Sequence, residues 1–177
     1  MRLRIYDRRI LAIDLRPRRF GYAVFEGTRF LVDWGAHTYP SNGDPEGAVA
    51  ARRLAAMLRA STPSAVILKK ERWDSAETNA VVRPMVEAII RETSARSIPI
   101  CLIDQNELTS TFRNLECETK YQIASVLTRI FPELLWKLPP PRQIWESEHP
   151  RMTMFDAIAL GFTYWQRGSP GSPSDLE

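Results

Sequence analysis

The chain has 177 residues and 44% apolar content, enough for one good hydrophobic core and short for two full domains. No apolar run approaches the length of a membrane span, and the basic N-terminus lacks the long apolar core and small-residue cleavage site of an export signal, so no membrane association and a cytoplasmic location are expected. The net charge is only +3, but 20 of the 24 basic residues are Arg, and Arg2, Arg4, Arg8, Arg9, Arg16, Arg18 and Arg19 fall in the first nineteen positions, a density of guanidinium that suits phosphate and marks this end as a nucleic-acid surface unless it is merely a solvated basic face.

Ile10 to Ile13 form a continuous apolar run without helical period, the pattern of a strand buried on both faces. Asp14 breaks that run, and an ionised carboxylate in such a place needs an ion pair, hydrogen bonds or a bound cation. Arg16-Pro17 reads as a turn, and Phe20 to Glu26 as a second strand in which Gly21 permits close backbone approach. Gly27-Thr28 is a second turn, and a third strand runs from Arg29 to about Trp34. Tyr39 to Asn42 is a loop. Asp44-Pro45-Glu46 looks like a capped helix start, and Ala51, Leu54, Ala55 and Leu58 give that helix one apolar face before Ser61-Thr62-Pro63 ends it. Ala65 to Leu68 is the next buried strand. It runs into Lys69-Lys70-Glu71-Arg72-Trp73, so Glu71 falls at the C-terminal end of a strand, where open α/β sheets place their sites.

Val82, Met85, Val86, Ile89 and Ile90 form the stripe of a second helix, with Pro84 either in its first turn or kinking it. Ile98 to Ile103 is another strand, with Cys101 buried in it, and Asp104 is assigned to the turn that closes it. A third helix runs from about Glu118 to Phe131, with Ile123, Val126, Leu127 and Ile130 inward and Lys120, Gln122 and Arg129 outward; Cys117 lies near its start, and both cysteines read as free thiols rather than zinc ligands. Leu138 to Gln143 holds three consecutive prolines and must be an extended loop. The last helix, roughly Arg151 to Gln166, is apolar nearly all round, with Asp156 as its only acid. A single domain over 1–167 and a flexible Gly/Ser/Pro tail over 168–177 are expected. The element order suits a five-stranded mixed α/β sheet, an antiparallel meander plus parallel strands, flanked by helices.

Asp14 on the first strand, Gly21-Tyr22 in the second, Glu71 after the fourth, Lys120 in Glu-Thr-Lys-Tyr-Gln and Asp156 in Asp-Ala-Ile-Ala-Leu stand in an order and spacing that resemble the RuvC-type Holliday junction resolvases of the RNase H-like nuclease superfamily. The resemblance covers most of the chain. It implies an RNase H-like fold and a structure-selective endonuclease that depends on Mg2+ or Mn2+, uses no organic cofactor and cuts branched DNA as a homodimer. It also implies that Asp14, Glu71 and Asp156 are the catalytic metal ligands, with Asp14 bridging, and that Trp73 and Lys120 contact DNA beside Arg18 and Arg19 of the basic end. The chemistry is consistent with acids of this kind: two divalent cations about 4 Å apart can activate water, neutralise the phosphate and stabilise the leaving oxygen, and hard cations take oxygen ligands.

Two positions depart from that pattern. Thr153 occupies the place of a fourth ligand, one helical turn before Asp156, with His149, Glu146 and Glu148 as nearby substitutes. The Arg16-Pro17-Arg18 turn lacks the family's glycine. A second reading therefore stands beside the nuclease: a RuvC-like nucleic-acid-binding module whose metal site has decayed. In that case Asp14 pairs with an arginine, Glu71 and Lys120 are solvated charges, and Trp73 covers the core edge. A phosphotransferase of the actin-like class, which opens similarly, would need a second domain for which the chain is too short.

Overall fold

The computed structural model describes residues 8–28, 30–39, 47–70 and 76–167; Arg2, Arg4, the predicted cap at Asp44, Glu71, Trp73 and the tail 168–177 lie outside the described residues. Five strands, β1 (Arg9–Arg16), β2 (Arg19–Glu26), β3 (Phe30–Thr38), β4 (Ala65–Lys69) and β5 (Ile100–Ile103), form one sheet in the order β3-β2-β1-β4-β5. β1 pairs antiparallel with β2 and parallel with β4, and β4 pairs parallel with β5. This is the mixed sheet that the sequence predicts. Among the described residues, five α-helices flank it: α1 (Ala48–Ser61), α2 (Ala76–Ser94), α3 (Gln105–Arg113), α4 (Lys120–Ile130) and α5 (Met152–Gln166).

The central strand divides its side chains between two cores. Ile10 and Ala12 join the cluster built with α3, α4 and α5, whereas Leu11, Ile13 and Leu15 join the one built with α1 and α2. Because side chains alternate along a strand, Asp14 and Arg16 follow Ile10 and Ala12 onto the α5 face. On β2 the same alternation sends Gly21, Ala23 and Phe25 to that face. A Cβ on Gly21 would lie 1.9 Å from the Thr153 carbonyl oxygen, and one on Gly161 would lie 2.2 Å from the Phe25 ring. Bare backbone at these two points lets α5 rest directly on β2. Gly21 is also the register partner of Asp14, so the close approach sets the first turn of α5 beside the buried acid. The helix is apolar all round because β1 and β2 lie beneath it and α3 and α4 pack over it.

Several expectations are corrected. The stretch after β5 holds a helix that periodicity alone did not reveal: Asp104 is its N-cap, accepting from the Glu107 amide at 2.8 Å, and Leu108 and Phe112 are its buried pair. Helix α4 packs Ile123, Val126 and Leu127 against the core as expected and adds Ala124 and Thr128, but it leaves Ile130 exposed, because it packs on α5 rather than on the sheet. β5 is an edge strand, so Leu102 is half exposed and Cys101 only partly buried. Pro84 lies well inside α2, and Ile90 faces outward. Helix α1 is preceded by Gly47 as N-cap, with Ala50 rather than Ala51 joining Leu54, Ala55 and Leu58 in the core. β3 extends beyond Trp34 to Thr38.

Replacing Gly21 by Ala is expected to destabilise the protein by roughly 3 kcal/mol, the upper end for overpacking, because the obstructing atom is main chain and α5 must move as a body. Urea unfolding of the variant against the parent measures this.

Candidate active site

The acid of the central strand and the acid of the last helix meet on one guanidinium. Arg16 donates from Nε to Asp14 Oδ2 at 2.9 Å and from Nη2 to Asp156 Oδ2 at 3.2 Å. Asp14 and Arg16 are two apart on one strand, so the pleat sets them on the same face. Asp156 enters from α5, one turn beyond the contact of Thr153 with Gly21. Lys120 closes the group from above: its Nζ donates to the same Asp156 oxygen at 3.1 Å and to Glu148 Oε1 at 2.8 Å. The lysine is held at the first position of α4 by a capping box, in which the Thr119 hydroxyl accepts from the Gln122 amide and the Gln122 side chain accepts from the Thr119 amide.

Burial grades across the cluster. Asp14 is 0% exposed, while the Asp156 side chain is 21% exposed and that of Lys120 48%. Asp14, Asp156 and Lys120 line one cleft of about 110 Å³ with Lys69, Gln105, Thr109 and Glu118. A carboxylate as buried as Asp14 is tolerated only with a cation and hydrogen bonds beside it, and Arg16 supplies both. Burial alone would lower the pKa of Lys120, but the Asp156 charge and the hydrogen bond to Glu148 outweigh it and raise the value. Burial alone would raise the pKa of Glu148, but the hydrogen bond and charge of Lys120, with Arg16 and Arg19 near, carry it below the ordinary value.

Of the residues predicted from sequence, Asp14, Asp156 and Lys120 come together. Glu71 and Trp73 lie outside the described residues. His149 is exposed, its Nδ1 accepts from the Arg151 amide at 3.2 Å, and it lines a neighbouring groove of about 540 Å³ with Lys120, Tyr121 and Glu148. Glu146 accepts from the Gln143 amide within its own loop. Thr153 is 3% exposed in the first turn of α5. Arg18 is exposed at the tip of the β1–β2 hairpin with φ 61°, and Arg19 opens β2. Sequence reasoning missed Arg16 as a member of the cluster. Its two-residue spacing from Asp14 on a strand was the available signal.

No protein-family model and no curated protein matches the sequence. Solved structures do match. Thermus thermophilus RuvC in complex with a Holliday junction substrate aligns at 15% identity with a TM-score of 0.68, covering 91% of this chain and 96% of that one. The yeast mitochondrial Holliday junction resolvase aligns at 14% identity with a TM-score of 0.55, covering 93% and 83%, respectively. The fowlpox virus resolvase, solved with Holliday junction DNA, aligns at 16% identity with a TM-score of 0.54, covering 89% and 99%. The fold is therefore that of the RuvC-like resolvases, an RNase H-like fold.

Paired carboxylates of this kind are a chemical match for a hard divalent cation. The donors fit such an ion in kind, since Asp14 and Asp156 offer the oxygens that a hard cation takes. Among the described residues, no group of three or more His, Cys, Asp or Glu side chains gathers about one point.

The Lys120–Glu148 pair contributes stability that is present above the ordinary glutamate value of 4.5 and is lost as pH falls through the lower folded-state value. The pair is partly exposed, so the contribution is expected to stay below about 1 kcal/mol. Melting temperatures of the parent and Glu148→Gln should differ at neutral pH and converge in acid.

Proposed function

We propose that the protein is a metal-dependent, structure-selective endonuclease that hydrolyses phosphodiesters in branched DNA of the Holliday junction kind. The observation that carries this reading is the convergence of Asp14 and Asp156, from opposite ends of the chain, in a cleft at the C-terminal end of the central strand. Structures like it in fold include RuvC and a viral resolvase, each solved with a Holliday junction. Mg2+ or Mn2+ held by Asp14 and Asp156, with Glu71 as the third acid, would supply activation of water and neutralisation of charge at the phosphate. Lys120, fixed at the head of α4, presents its ammonium at the mouth of the cleft and meets a phosphate oxygen there. Arg18 and Arg19, on the hairpin that follows Asp14, hold the DNA backbone. Trp73 enters the proposal from its sequence position, stacking on an unpaired base. Cutting two strands of a junction needs two such sites, so the active form is a homodimer.

A second reading, a binding module without cleavage, is favoured by one observation: the Arg16 and Lys120 contacts already compensate both acids. The two readings part in one assay. With Mg2+ or Mn2+ the purified protein is expected to nick a four-way junction, and Asp14→Asn to reduce cleavage to background. Tight junction binding without cleavage in any divalent cation overturns the nuclease in favour of the binding module.

Independently of cleavage, replacing Arg18 and Arg19 together by Ala is expected to weaken DNA binding uniformly across sequences and to reduce the salt slope by about 2, one for each phosphate contact removed. Binding titrations at several salt concentrations test this.

A further inference from the structure

We infer that Arg16 is a built-in counter-cation of the acidic site, one that a divalent ion must displace, so that this side chain sets the metal affinity. The inference rests on the reading of Asp14 and Asp156 as cation ligands and adds what holds them when no ion is bound. One guanidinium donates to both carboxylates, at 2.9 Å and 3.2 Å. Both bonds end on Oδ2 atoms, and an ion that bridges the acids through those oxygens competes with the guanidinium for them. The competition is uneven in depth: Asp14 is fully buried and cannot be left charged without a cation, while the Arg16 side chain is 26% exposed and reaches the acids from the last residue of its strand.

The position of Arg16 also provides an alternative partner. It lies next to the Pro17–Arg18 turn, on the hairpin that carries Arg18 and Arg19. DNA backbone docked on that hairpin offers phosphate oxygens, which a guanidinium binds bidentately. Release of Arg16 to a phosphate frees the two carboxylates as the substrate arrives, so metal and DNA bind with positive coupling through one side chain. Without DNA the site is held closed by the protein's own charge, which keeps a nuclease from being loaded with cation before its substrate is in place.

The test is equilibrium binding of Mn2+ to the full chain, followed by electron paramagnetic resonance of the free ion, with no cleavage step involved. Arg16→Gln, which removes the charge and keeps a polar side chain, is expected to bind Mn2+ roughly ten- to hundredfold more tightly than the parent. That gain should disappear when Asp14→Asn is added. A non-cleavable duplex should tighten Mn2+ binding by the parent and leave Arg16→Gln unchanged. Should Arg16→Gln fail to fold because Asp14 loses this guanidinium, Arg16→Lys keeps the charge but not the two-ended bridge, and it too should bind Mn2+ more tightly than the parent. Equal affinities in parent and variants, with binding still abolished by Asp14→Asn, overturn the role of Arg16 and leave the cation site standing. Absence of Mn2+ binding in parent and both Arg16 variants overturns the cation site itself, and this inference with it.

Discussion

A carboxylate buried in the middle of the sheet governs the arrangement around it. Asp14 lies on the central strand with no exposed surface, where an uncompensated charge would cost several kcal/mol. Positive charge must therefore be delivered to the C-terminal end of β1 whatever else the protein does. In the structure Arg16 delivers it, from the same strand and the same face, and Asp156 shares the same guanidinium. The core is thus built around an electrostatic demand at one point, and the helices are placed to meet it.

The second requirement is steric. Asp156 reaches the cluster only because α5 lies on bare backbone at Gly21 and against the Phe25 ring at Gly161. A side chain at Gly21 would lift the first turn of the helix and carry Asp156 away from β1. Glycine beside the acid and an apolar helix with a single carboxylate are therefore two halves of one device, since neither brings the acids together alone. The capping box at Thr119 and Gln122 adds the third part by fixing where α4 begins, and with it the reach of Lys120.

These constraints give the site a graded character. It runs from a buried acid paired with Arg16 at the sheet to a half-exposed lysine at the mouth. Under the proposed function, such a gradient suits a surface that exchanges internal partners for an external polyanion. The hairpin tip next to Arg16 carries further guanidinium, and Arg19 is near enough to lower the pKa of Glu148.

Much of this was legible in the amino-acid sequence. The apolar run of Ile10 to Ile13 with its interrupting Asp14, the two-residue alternation of the meander and the all-round apolar helix near the C-terminus are local patterns, and local patterns follow from backbone period and burial. They determined the mixed sheet and the order of its elements, while Asp14, Asp156 and Lys120 were singled out by the resemblance to the RuvC-type resolvases. What the sequence left open were matters of packing direction. Helix α3 was hidden because a nine-residue segment shows too few turns for a stripe, although Asp104 and Glu107 marked its start. The face that α4 turns inward depended on its resting on α5 instead of the sheet, and the exposure of Leu102 on β5 being the last strand of its edge. Which cation answers Asp14 was likewise decided in three dimensions. Seven arginines crowd the first nineteen positions, and only the pleat of β1 together with the descent of α5 onto Gly21 selects Arg16, because a charge is neutralised by what lies within a few ångströms and distance in space is not written in distance along the chain.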